Sequence, residues 1–121
     1  MRQRSIGILD IGEGNLLSIS GALKEINYDV KTVNNENDFK NINGIILPGD
    51  GAFNTYISKL NKNGLSKHII DFYKNSHKPI LGICVGMQIL FQIGEENGQF
   101  KGLNIVKGNV KQNICGLNVG L

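Results

Sequence analysis

Short apolar runs that end in glycine-bearing turns alternate along this chain with stretches in which apolar residues recur every three or four positions. Ile6 to Leu9 reads as a buried strand, ended by Asp10 and the glycines at 12 and 14. Asn15 is placed to cap a helix whose apolar residues are Leu16, Ile19, Ala22, Leu23 and Ile26. A second strand is predicted from Asp29 to Val33, followed by the polar stretch Asn34 to Asn43, where only Phe39 and Ile42 offer themselves to a core. Gly44 to Leu47 reads as a third buried strand and runs into Pro48-Gly49-Asp50-Gly51-Ala52-Phe53. Helices are predicted over Phe53 to Lys62 and Leu65 to Asn75. In the second, Leu65, Ile69, Phe72 and Tyr73 form one apolar face.

A fourth buried strand, Ile80 to Ile83, opens after Pro79. From Val85 the spacing changes, and Val85, Met87, Ile89, Leu90 and Ile93 predict a helix buried on most sides. Gly94 to Gly102 reads as a polar turn carrying Glu95 and Glu96. Asn104 to Val106 and Asn109 to Lys111 read as short strands of a hairpin around Lys107-Gly108. The last residues, Gly116 to Leu121, match no element. Strand, helix, strand, polar crossover and strand imply a mostly parallel α/β sheet with flanking helices. Ligand-binding loops in such sheets lie at the carboxyl ends of the strands, where the loops at Gly12, Gly49 and Gly82 would converge.

At 121 residues the chain fits a single domain, residues 1–121, and is short for a complete α/β enzyme. The net charge of +3 is spread over scattered lysines, with no basic run or aromatic interleaving of the kind a nucleic-acid surface shows. Two cysteines at unrelated positions give neither a disulfide framework nor a metal spacing, which fits a reducing cytoplasm. The basic start, Met1 to Ser5, leads into an apolar run broken by Asp10, Gly12 and Glu13, so neither a signal peptide nor a membrane span is expected. No cofactor and no metal are expected.

The chemistry concentrates at Gly82-Ile83-Cys84-Val85-Gly86. This is G-x-C-x-G on a strand-to-helix turn, the arrangement of a nucleophile elbow. Such a turn brings backbone too close for side chains at Gly82 and Gly86, and it forces Cys84 into a strained conformation that exposes its thiol. The start of a helix favours the thiolate, and amides just after the nucleophile can face a developing oxyanion. A buried structural cysteine is the competing reading, but it has no need of both glycines.

A thiol nucleophile ordinarily needs a base, and only His68 and His77 are available. His77 precedes the strand whose far end carries Cys84, about 23 Å away in an extended chain. His68 lies on a helix that should cover the sheet's face, so neither histidine completes a dyad. Gly12-Glu13-Gly14 begins like a dinucleotide fingerprint, but Leu17 stands where the third glycine should be. Cys115 has no elbow context and reads as a structural or tail residue.

Three segments carry a family resemblance: Asp10 to Ser18, Ile45 to Phe53, and Pro79 to Gln88. Taken in that order, they resemble the glutaminase subunit of imidazole glycerol phosphate synthase, a class I (triad) glutamine amidotransferase. The resemblance implies a flavodoxin-like fold, with hydrolysis of glutamine to glutamate and ammonia through a thioester on Cys84. It also implies a heterodimer with a (β/α)8-barrel cyclase that uses the ammonia in histidine biosynthesis. By the same resemblance, Gly49 and Asp50 belong to the oxyanion strand, Val85 supplies the second donor, and Gly82, Gln88 and Glu96 belong to the glutamine site.

Departures from the family pattern are Ile11 for Tyr, Asp50 for Val and Val85 for Leu. A carboxylate at position 50 would oppose charge developing beside it. Lys111 to Val119 resembles a shortened Pro-His-Met-Gly-Trp-Asn segment, with Gly116-Leu117-Asn118 at its end. The family's catalytic His-x-Glu would lie beyond residue 121, along with further strands, so an open strand edge and poor solubility are expected. Other readings remain: a non-catalytic remnant or interaction module, a paralogue feeding ammonia to another amidation such as that of a surface sugar, or another cysteine-elbow hydrolase.

Overall fold

Ser5–Leu9 (β1), Asp29–Val33 (β2), Gly44–Leu47 (β3) and Ile80–Gly82 (β4) form a parallel sheet in the order β2-β1-β3-β4. The structure, a computed structural model, describes residues 4–111. Ile6 pairs with Val30 on one side and Gly44 on the other, while Leu47 pairs with Gly82. Every residue of β3 is buried, as a central strand covered on both faces requires. Because all four strands run the same way, their following loops gather at one edge.

The helix Leu16–Glu25 (α1) starts where Asn15 Oδ1 accepts the Ser18 amide at 3.1 Å. Phe53–Lys62 (α2) buries Phe53, Tyr56, Ile57 and Leu60 on the sheet. Leu65–Asp71 (α3) follows Gly64, whose φ of 70° turns the chain between the helices, and a π-helical turn, Phe72–Ser76, extends it. Leu9, Val33, Leu47, Phe53, Leu60 and Ile69 meet in one core. Ile42 is fully buried, and Phe39, in a 3-10 turn over Glu36–Phe39, packs against that core.

Several expectations need correction. The apolar spacing of α1 predicts a buried face, yet none of its residues is buried and Leu17 is 86% exposed. A groove of about 380 Å³ stays open between Leu23 and Tyr28 on one side and Ile45 and Leu81 on the other, so α1 only partly covers the sheet. Tyr73 is also exposed, one position past the α3 face that packs inward. The strand at Ile80 is an edge rather than a buried strand among the described residues, where β4 pairs with β3 alone and Leu81 is 57% exposed.

The helix predicted from Val85 through Ile93 is a single turn, Val85–Gln88 (α4). Its continuation is diverted because the amides of Leu103, Ile105 and Val106 take the carbonyls of Ile89 and Leu90. Met87 is consequently exposed, and Ile93–Glu95 becomes a strand (β5). Phe100–Lys101 (β6) pairs antiparallel with β5, and Asn109–Lys111 (β7) pairs with it in parallel. The hairpin therefore runs from Ile93 to Lys101 rather than around Lys107-Gly108, and Asn104 to Val106 is not a strand. Among the described residues no helix is long and apolar enough to cross a membrane.

Candidate active site

Cys84 sits between β4 and α4 with φ 57° and ψ −120°, a backbone conformation that side-chain-bearing residues rarely adopt. Holding a non-glycine residue there costs about 1–3 kcal/mol, which the surrounding turn must supply. Its hydrogen bonds do so. Ile83 N–H donates to the Leu47 carbonyl at 3.0 Å, Gly86 N–H to Ile83 at 2.9 Å, and Met87 N–H to Cys84 at 3.0 Å. The thiol is free and exposed.

Both glycines are required by backbone proximity. A β-carbon on Gly82 would lie 2.6 Å from the Gly86 oxygen and from the Met87 nitrogen. One on Gly86 would overlap the Leu47 carbonyl oxygen and fall 2.7 Å from its carbon. The elbow is thus clamped to the end of β3.

That clamp also brings up the loop after β3. Gly49 lies between the Val85 side chain and the Tyr56 ring, and a β-carbon there would overlap both. The loop after β1 joins from above. Gly14, at φ 87°, packs on Pro48, where a β-carbon would come 2.7 Å from the proline Cβ, and its N–H donates to Asp50 Oδ1 at 3.3 Å. The glycines at 12 and 14 are therefore used in joining loops. The three glycine loops converge at one edge of the sheet, as their strand order requires.

Asp50 accepts a hydrogen bond there, so part of its charge is directed to the Gly14 amide. The amides of Gly49, Asp50 and Val85 donate to no acceptor among the described residues. In the first turn of α4 that is the normal state of Val85, whose amide has no partner within the helix. The arrangement can present backbone N–H donors to an anion formed next to Cys84.

Three residues in this cluster escaped the sequence reading. Buried Glu13 pairs with Lys59 at 2.6 Å, and Gly51 lies against its other oxygen, Oε1, where a β-carbon would come within 2.6 Å. Buried Tyr56 donates its hydroxyl to the Pro48 carbonyl at 2.8 Å. Burial pushes the Tyr56 pKa well above the usual tyrosine range, and the negative charge of Glu13 adds to the effect. No local pattern marks these residues, because Glu13 and Lys59 lie 46 positions apart.

Of the residues singled out from sequence, Gly49, Gly82, Cys84 and Val85 come together, with Asp50 beside them. Gln88 ends α4 one turn after Cys84, and its N–H donates to the Cys84 carbonyl at 3.2 Å. Glu96 lies in the exposed β5–β6 turn and makes no hydrogen bond or ion pair with a described residue. Its neighbour Glu95 accepts from Asn109 Nδ2 at 3.0 Å. His68 packs on Phe39 with ring centroids 6.0 Å apart, and His77 precedes β4 at the opposite end from Cys84. Cys115 and the Gly116-Leu117-Asn118 segment lie outside the described residues. No group of three or more His, Cys, Asp or Glu residues suited to a metal ion occurs among the described residues.

A family model for the SNO glutamine amidotransferase family matches residues 9–120. The chain belongs to that family. Its relatives include proteins named imidazole glycerol phosphate synthase subunit HisH. One from Desulfitobacterium hafniense is 45% identical over 87% of this chain and 49% of its own length. Another, from Caldanaerobacter subterraneus, is 47% identical over 87% of this chain and 51% of its own length. The chain thus spans about half the length of these relatives. A crystal structure of a glutamine amidotransferase superposes with a TM-score of 0.76 at 20% identity, covering 94% of this chain and 59% of that one. That likeness shows the shared fold.

Proposed function

We propose that this chain carries the nucleophile half of a glutaminase of the HisH type, which hydrolyses glutamine to glutamate and ammonia. The observation that carries the reading is the strained, exposed Cys84, locked by Gly82 and Gly86 in a chain 45% identical to a protein named HisH. Cys84 Sγ attacks the carboxamide carbon of glutamine. The C–N bond breaks, ammonia leaves, and water then opens the thioester to glutamate. The amides of Gly49 or Asp50 and of Val85 hold the oxyanion in both tetrahedral intermediates. Gln88 and Glu96 hold the amino-acid end of the substrate, where an ammonium calls for a carboxylate. No metal or cofactor enters these steps.

The base that takes the thiol proton and returns it to the leaving nitrogen is none of the described histidines, so it comes from outside residues 4–111. The ammonia passes to a (β/α)8-barrel cyclase that makes imidazole glycerol phosphate in the cytoplasm. A second reading, a copy that keeps the elbow without turnover, is favoured by the position of His68 and His77 away from Cys84. Glutamate release, measured with and without the cyclase and its nucleotide substrate beside Cys84→Ala, separates the two. Release that requires Cys84 and rises with the cyclase supports the glutaminase. No release above the Cys84→Ala control in either condition leaves the second reading.

A further inference from the structure

Gly49 is held from the core side by Tyr56, whose ring packs against it. Its hydroxyl donates to the Pro48 carbonyl at 2.8 Å in a buried setting. The Pro48 oxygen and the Gly49 N–H are the two ends of one trans peptide plane, so fixing the oxygen also fixes the direction of the N–H. The ring does a second job, because it presses Gly49 against Val85, leaving no room for even a methyl group. The loop's other attachment, Gly14 N–H to Asp50 Oδ1, is longer at 3.3 Å and exposed to solvent.

We propose that Tyr56 is a positioning residue for the oxyanion loop, its hydroxyl setting the Pro48–Gly49 peptide plane against the Val85 amide. This rests on the reading of Gly49, Asp50 and Val85 as the oxyanion donors to Cys84. Burial and the nearby Glu13 charge keep the phenol protonated, so it remains a donor throughout the physiological range. Preorganised donors accelerate only reactions that build negative charge on oxygen. Alkylation of the same thiol builds none.

That difference gives the test. p-Nitrophenyl acetate acylates Cys84 by forming an Sγ–C bond, breaking the ester C–O bond and releasing p-nitrophenolate through an oxyanion. Iodoacetamide alkylates Cys84 by displacing iodide with no oxyanion. Both rates are read at the Cys84 peptide by mass spectrometry, which separates it from Cys115. Tyr56→Phe keeps the ring and is expected to lower the acylation-to-alkylation ratio about tenfold, with alkylation itself within about twofold of wild type. A 3-fluorotyrosine at position 56 keeps both ring and donor and should leave the ratio within about twofold, as should the remote Tyr28→Phe.

An unchanged ratio in Tyr56→Phe overturns the proposal, as does a ratio that falls equally with fluorotyrosine. A wild-type ratio no higher than that of a free small thiol also overturns it, because there would then be no oxyanion loop to position. None of these readouts uses glutamine. A chain that releases no glutamate but shows the Tyr56-dependent ratio refutes the glutaminase reading alone.

Discussion

Gly86 lies so close to the carbonyl of Leu47 that a β-carbon on it would overlap the carbonyl oxygen. The end of β3 and the start of α4 are thereby locked together at the residue pair that frames Cys84, and the same approach brings Gly49 onto Val85. Gly86→Ala must therefore push backbone from backbone. It is expected to destabilise the protein by about 3 kcal/mol or more, read as a lower midpoint in urea, because overpacking with no flexible side chain to yield lies at the upper end of such costs. A midpoint within the error of wild type would show that the elbow is looser than this contact implies.

Strain at Cys84 makes the opposite prediction for its own replacement. At φ 57° and ψ −120° a glycine is at ease and a cysteine is not. Cys84→Gly should raise stability by about 1 kcal/mol while removing the elbow thiol, whereas Cys84→Ala keeps the β-carbon and should gain little. Equal melting temperatures for the two variants would argue against backbone strain.

Parts of this architecture were legible from residues alone for a physical reason. Backbone-to-backbone proximity can be met only by glycine, so Gly82 and Gly86 announce the elbow in the sequence. The buried run Gly44 to Leu47 announces a central strand in the same way. Pairings across the chain leave no such mark. Glu13 with Lys59 and Tyr56 with Pro48 obey no local period, and each residue taken singly reads as an ordinary surface or core position. The spacing of Val85, Ile89 and Ile93 fits a helix, but the competing amides of Leu103, Ile105 and Val106 come from a later segment and end it after one turn. The face of α1 misled in another way, since helical spacing shows which side turns inward and not how closely it is covered.

Tyr56 gives the protein an alkaline limit. Its folded pKa is raised above the ordinary tyrosine value, near 10, by burial and then by Glu13. Above pH 10 the unfolded chain loses this proton while the folded one keeps it, so stability is fully present below that pH and falls as pH rises. The loss reaches at most about 1.4 kcal/mol per pH unit. Urea midpoints between pH 9 and about 11 should fall more steeply for wild type than for Tyr56→Phe. Parallel slopes would mean that the phenol titrates alike in both states.

The open side of β4 is the exposed apolar region next to the site, with Leu81, Ile83 and Met87 all in contact with solvent. Among the described residues that strand edge has no partner, and an unpaired edge with apolar neighbours favours association. Leu81→Lys, at a side chain 57% exposed, should shift the chain towards monomer in light scattering at matched concentration and change stability by less than about 0.5 kcal/mol. An unchanged mass distribution would place the associating surface elsewhere, or show that there is none.

Whether Cys84 is aimed at glutamine is read by its covalent capture with 6-diazo-5-oxo-L-norleucine, a glutamine analogue whose diazo-bearing carbon alkylates a thiolate with loss of nitrogen. If Cys84 is the glutamine-directed nucleophile, mass spectrometry will find the adduct on the Cys84 peptide, excess glutamine will slow its formation, and Cys84→Ala will show none. A Cys84 that reacts at the same rate with and without glutamine, or does not react while iodoacetamide still reaches it, would contradict the account.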